Sequence, residues 1–152
     1  MRKPPDPFPP IPPSGIPGMD AAHARLWAQL HQVGRMLEQA LLPDALIRCV
    51  GLLMELRQEY AGEEALMAQH GYSGMVAHRA SHTLLESEFS QLARAIRDAG
   101  QDPPGDVHGR LVEMLFAAAR QLAAHVQEED IPLARHVLAV SGPEPWPKPI
   151  TP

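Results

Sequence analysis

Apolar residues recur at helical spacing along four stretches of the chain. In the first, Leu26, Leu30, Val33 and Leu37 fall at intervals of three and four, the period of one helix face. They predict a helix from Asp20 to about Ala40, with Asp20 as N-cap. Pro43-Asp44 predicts a turn, with Asp44 capping a second helix that carries Leu46, Ile47, Val50, Leu53, Met54, Leu56, Tyr60, Leu66 and Met67. That helix is expected to stop at His70-Gly71, where glycine can take left-handed dihedrals. Ser73 suits the N-cap of a third helix running to about Ala99-Gly100, and Asp102-Pro103-Pro104-Gly105 reads as a loop. The fourth helix is expected to start near Asp106 and to carry Leu111, Leu115, Leu122 and Val126. Pro132 forces a stop or kink there, with a short helical piece following to about Val140. No long run alternates apolar and polar residues, so strands lack support. Short connections between long helices imply antiparallel neighbours. The expected fold is therefore all-α, an antiparallel up-down-up-down four-helix bundle.

Proline sets the boundaries. Of 17 prolines, eight lie between Pro4 and Pro17 and five between Pro143 and Pro152. Residues 1–18 read as a proline-rich N-terminal arm, 19–140 as the bundle and 141–152 as a proline-rich tail, both ends extended. The full length of 152 residues suits one domain, and 45% hydrophobic residues suffice for its core. No run of eighteen apolar residues exists, and Met1-Arg2-Lys3-Pro4-Pro5 lacks an apolar signal region, so the expectation is a cytoplasmic protein without a membrane partner. The net charge of −5 argues against nucleic acid as partner. Cys49, the single cysteine, excludes an internal disulfide and a cysteine-rich zinc site.

The chemistry lies in polar residues on or beside apolar faces. Glu59 and Glu63 sit four apart on the second helix, and His78 and His82 four apart on the third. His23 lies beside the Leu26–Leu30 stripe, His125 three residues after Leu122, and Asp130 just before Pro132. Taken singly, each has a plainer reading. A histidine pair decorates many helices, a glutamate pair usually faces water, His23 suits a satisfied core position, and Asp130 suits a helix end. Jointly, every helix brings imidazole or carboxylate inward, at a cost of several kcal/mol unless a cation joins them. Nitrogen and oxygen donors without thiolate suit iron, manganese or zinc. No Glu-x-x-His, His-Glu-x-x-His, phosphate loop or nucleotide fingerprint occurs. His31, His70, His108 and His136 have no place in the pattern. Met36, Met54, Met67, Met75 and Met114 read as core filler, and Cys49 as a buried small hydrophobe.

The chain resembles the bacterial hemerythrin-like proteins of the hemerythrin family. The likeness rests on the segment Ser14 to His23 with Leu26-Trp27, and on Tyr60-Ala61-Gly62-Glu63-Glu64-Ala65-Leu66-Met67. It continues through Gly71-Tyr72-Ser73, His78-x-x-x-His82-x-x-Leu85 and Leu122-x-x-His125-x-x-x-x-Asp130. The resemblance implies two non-haem iron ions joined by an oxo or hydroxo bridge (Fe-O-Fe) inside the bundle. By position, His78, His82 and His125 would hold one iron. His23 would hold the other, which keeps an open place for dioxygen, and Glu63 and Asp130 would bridge the two.

Glu59 departs from the family, which has histidine there. An added negative charge favours ferric iron, which moves the expectation from oxygen carriage toward reaction with peroxide or nitric oxide. The plainer reading turns Glu59 outward to pair with Arg57 or Arg79. Leu122 is expected to line the ligand pocket, and Gln121 stands where the family often has tryptophan near it. The implied function is binding of dioxygen, or another diatomic or peroxide ligand, for storage, delivery or sensing. A di-iron redox protein acting on peroxide, nitric oxide or ferrous iron, with oxidase or peroxidase-like activity, is the alternative. A sensor signalling through its tails is a third, with its protein partner unknown. Trp146 is expected to fold back on the bundle or to mark a docking segment.

Overall fold

The computed structural model describes residues 8–101, 107–142 and 146. Among them there are helices and no strand. Helix α1 spans Pro17–Glu38, α2 Leu42–Gln69, α3 Met75–Ala99 and α4 Val107–His125. A π turn, Val126–Asp130, joins α4 without a gap to α5, Ile131–Ser141. α1 packs on α2 and α4, α2 on α3, and α3 on α4. The four helical arms therefore close a ring around one interior.

The helix starts differ from the sequence expectation, and proline explains two of them. Pro17 and Pro43 sit inside the first turns of α1 and α2, so Ile16 and Leu41 are the N-caps in place of Asp20 and Asp44. The missing N–H of proline is lost at no cost there, since first-turn donors have no helical acceptor. Asp20 instead accepts the Ser14 N–H at 2.7 Å through Oδ1, which ties the arm to the helix. Gly74, not Ser73, caps α3. The loop expected at 102–105 and the start at Asp106 lie outside the described residues, as do 1–7, 143–145 and 147–152 of the two tails. The bundle's helices begin at 17 and end at 141, within two residues of the expected 19–140.

Two turns use the same hydrogen bonds with different residues. After α2, Gly71 takes φ +59° and the Tyr72 N–H reaches the Met67 carbonyl at 3.0 Å. After α1, Ala40 takes φ +60° and the Leu41 N–H reaches the Met36 carbonyl at 2.8 Å. Glycine adopts these dihedrals freely; alanine does so against its Cβ.

The core is continuous from Leu26 to Leu37 on α1, through Leu52, Leu56, Leu85, Phe89, Leu92 and Ile96, to Leu111, Leu115 and Leu122. Cys49 is fully buried with it, and burial pushes its thiol up to about 12. Ile47, Val50 and Met54, placed on the apolar face by their spacing, are 73%, 44% and 65% exposed, so Met54 is not core filler. The α2 ring of contacts already lies on the Cys49–Leu52–Leu56 side, and those three fall on the other. Phe8 of the arm is buried edge-on to Phe116 at 5.4 Å, and His31 lies edge-on to Phe8 at 4.6 Å. A second apolar cluster, Ile16, Met19, Leu66, Met67, Leu133, Ala134 and Val137, packs with Trp146. Trp146 thus folds back onto the bundle. Gly18 and Gly62 make room for it: a Cβ on Gly18 would lie 1.9 Å from the Cβ of Trp146.

Candidate metal centre

All seven expected ligands meet inside the ring, each no more than 5% exposed: His23, Glu59, Glu63, His78, His82, His125 and Asp130. Helical spacing explains four of them. Glu59 and Glu63 lie one turn apart on the inner face of α2, and His78 and His82 do the same on α3. His125 and Asp130 need more. Five residues of α-helix at ~100° each would set them about 140° apart. The π turn changes that. The Ile131 N–H bonds the Val126 carbonyl, five residues back, which widens the turn and returns Asp130 to the face of His125. Their Nε2 and Oδ1 atoms are 2.9 Å apart. Pro132 follows at once and lacks the N–H that an α-helical turn would use. The expected stop or kink is therefore a widened turn in a helix that continues.

The donors form two groups that share Glu63. One contains Glu63, His78, His82, His125 and Asp130; the other contains His23, Glu59 and Glu63. Glu63 Oε2 lies 3.1 Å from His78 Nε2 and 2.9 Å from His82 Nε2. Asp130 divides its oxygens. Oδ1 lies 3.0 Å from His78 Nε2 and 2.9 Å from His125 Nε2, whereas Oδ2 lies 3.2 Å from His23 Nε2. Glu59 Oε1 is 2.9 Å from His23 Nε2. Glu59 therefore faces inward, and its outward pairing is overturned: Arg57 pairs with Glu86 and Arg79 with Glu64.

Short distances here do not mean satisfied groups. Both ring nitrogens of His23 and His125, both oxygens of Glu59, Glu63 Oε1 and Asp130 Oδ1 are buried without an aligned hydrogen bond. Several lie within 3.2 Å of an opposite group and still do not point at it. Side chains that converge on a common point, rather than on one another, are what a bound cation needs, and orphaned buried polar atoms are otherwise costly.

Without a cation, protons hold the charges apart. Burial opposes a charged His23, but Asp130 and Glu59 outweigh it and raise its pKa to about 10. His78 goes to about 9, against burial, through Asp130 and Glu63. His125 is raised, against burial, by Asp130. Burial and the Glu63 charge push Glu59 up to about 7, although His23 pulls it down. Asp130 falls well below the usual carboxylate range despite its burial, because His125, His23 and His78 surround it.

Of the carboxylates near the outer ring nitrogens, Glu129 stands four residues after His125, a spacing present in the sequence, whereas Glu64 comes to His82 from another helix. Glu64 Oε1 lies 3.2 Å from His82 Nδ1, and Glu129 Oε1 lies 3.5 Å from His125 Nδ1. Ser81 Oγ donates to Glu129 at 2.6 Å. Each of the two carboxylates is also adjacent in sequence to an expected ligand. Tyr60 stacks on His82 at 3.8 Å, its hydroxyl buried and unpartnered. Burial, with Glu63 and Glu59 nearby, raises its pKa further above 10.

No family model, curated protein or solved structure matches this chain. The site is read from its residues. Four imidazoles and three carboxylates in two groups can hold a metal ion. Of the expected pocket residues, Leu122 is buried in the core, while Gln121 is exposed and does not join the site. His108 is exposed, and His70 and His136, both half-buried, bond each other through the His70 carbonyl at 3.0 Å.

Proposed function

We propose that this chain is a hemerythrin-like di-iron protein that binds dioxygen or a related small ligand. Its helices run up-down-up-down, a topology supported by connections of three residues (39–41) and five residues (70–74) between packed helices. The carrying observation is the division of donors: two groups share Glu63, and Asp130 offers one oxygen to His78 and His125 and the other to His23. In this reading His78, His82 and His125 hold one iron, His23 and Glu59 the other, and Glu63 and Asp130 serve both. The His23 group has fewer protein donors, which leaves room for an exogenous ligand.

Bound iron supplies the electrons for dioxygen chemistry. The chain supplies the rest. Glu64 orients the His82 ring through Nδ1, which also makes Nε2 a better donor. Leu26 and Leu122, three residues from His23 and His125 on the same helices, are buried with them. Glu59 favours a second reading, a redox protein acting on peroxide, nitric oxide or ferrous iron. It is 5% exposed and 2.9 Å from His23, so its charge belongs to the site and stabilises ferric iron.

The deciding experiment loads ferrous iron without air, counts iron per chain, admits dioxygen while recording the visible spectrum, and then sweeps it out. Two irons with a charge-transfer band that fades and returns supports reversible binding. Two irons locked in a ferric spectrum supports the redox reading. A chain that takes up no iron overturns both. If Glu59 sets the balance, Glu59→His lengthens the life of the oxygenated form and Glu59→Ala does not.

A further inference from the structure

A hollow of about 450 Å³ lies between the N-terminal arm and α1. It is lined by Ile11, Pro12 and Pro13 from the arm and by Asp20, His23, Ala24 and Trp27 from α1. The arm is pinned on both sides of it. Trp27 Nε1–H donates to the Pro9 carbonyl at 3.0 Å, and the Ser14 N–H donates to Asp20 Oδ1 at 2.7 Å. Prolines between those two points hold the span stiff, because their φ is locked.

The lining has a direction. Asp20 and Trp27 are seven residues apart on one face of α1, about 10 Å, and Ala24 between them has little bulk. One end is the Asp20 carboxylate, which accepts the Ser14 N–H through Oδ1 and enters no ion pair among the described residues. The other end is the Trp27 indole, and Ile11, Pro12 and Pro13 of the arm form the facing wall. The volume suits an organic molecule rather than a diatomic.

We propose that this hollow binds a small organic cation, an aryl- or alkylamine. Its ammonium sits on Asp20, and its apolar body lies over Ala24 against Trp27 and the two prolines. An ammonium–carboxylate contact selects the cation, and the aromatic wall takes the body. Asp20, Ala24 and Trp27 belong to neither donor group, but His23 lines the hollow and belongs to one, so the two sites are neighbours.

Calorimetric titration of the full chain with phenethylamine, 2-phenylethanol and 3-phenylpropionate tests this, with iron content measured in parallel. Phenethylamine should saturate one site, the alcohol should bind about tenfold more weakly (~1.4 kcal/mol), and the anion should not bind. Asp20→Asn keeps an acceptor for the Ser14 N–H and should erase the preference for amine over alcohol. Ala24→Leu should block both, with helicity and iron content unchanged in each variant. Equal binding of amine and alcohol, a preference that survives Asp20→Asn, or no saturable binding of any of the three would overturn the proposal. The titrations are run on the metal-free and the iron-loaded chain, so failure of iron loading and failure of amine binding are read separately although His23 borders both sites.

Discussion

Leu30, Val33, Leu37, Leu56, Leu115 and Ile96 fill one half of the bundle; His23, Glu59, Glu63, His78, His82, His125 and Asp130 fill the other. The same helices supply both, and both are buried to within 5%. The apolar half is complete as it stands, since removing each side chain from water is itself favourable, by ~1.5–3 kcal/mol. The polar half is incomplete, because its donors face a common interior and many have no aligned partner. Equal burial therefore conceals opposite demands. One half excludes everything, and the other requires a cation or protons.

The sharpest break in that comparison is Glu63→Ala, because Glu63 is common to both donor groups. Metal per chain should fall to near zero by elemental analysis, and His82→Ala should follow it in part. Unchanged metal content in both would move the site elsewhere. Next, Leu56→Ala in the apolar half should cost ~2–5 kcal/mol in denaturant unfolding, with the same loss in metal-free and metal-loaded chains. A loss that depends on metal would mean that the halves are not separate.

Glu64→Gln, behind His82 Nδ1, should weaken metal binding ~10–100-fold while leaving the ligand set intact. Competition with a chelator reads this out, and an unchanged affinity would make Glu64 a bystander.

Acidity separates the halves further. His23 and His78, raised to about 10 and 9, contribute stability to the metal-free chain that is whole below their ordinary 6.5. That contribution is lost as pH rises through those values. Glu59, raised to about 7, takes stability away between its ordinary 4.5 and 7 by the same sign. Asp130, lowered, contributes stability that disappears only when pH falls through its depressed value. The metal-free Tm should therefore decline from mildly acidic pH to pH 10, and the metal-loaded Tm should decline less, because metal takes the place of the protons. Parallel curves with and without metal would contradict this.

The smallest effect lies outside both halves. Ala40→Gly should stabilise by ~0.5–1 kcal/mol, because φ +60° strains alanine and suits glycine. Gly71→Ala, the reverse change in the matching turn, should cost a similar amount.

The helices, their approximate ends and the inward face of α1 were legible because apolar spacing and proline are local signals. Glu59, Glu63, His78 and His82 were legible for the same reason: a four-residue interval puts two side chains on one face whatever surrounds them. The exposure of Ile47, Val50 and Met54 was not, because α2 is apolar on more than one side and only its neighbours choose between them. The N-caps were misplaced because proline in a first turn looks like a break when it is a start.

The sequence by itself determined which residues could be inside and what donors they carry, since composition and period are properties of the chain alone. Tertiary structure decided what depends on several helices at once. Glu59 faces His23 rather than Arg57 or Arg79 because α1 closes over α2. Asp130 shares a face with His125 because the backbone widens into a π turn before Pro132. Glu64 stands behind His82 because α2 packs against α3. Trp146 finds Gly18 and Gly62 across more than eighty residues. Each is a distance between atoms far apart in the chain or a change in helical phase, and neither is written in the order of residues alone.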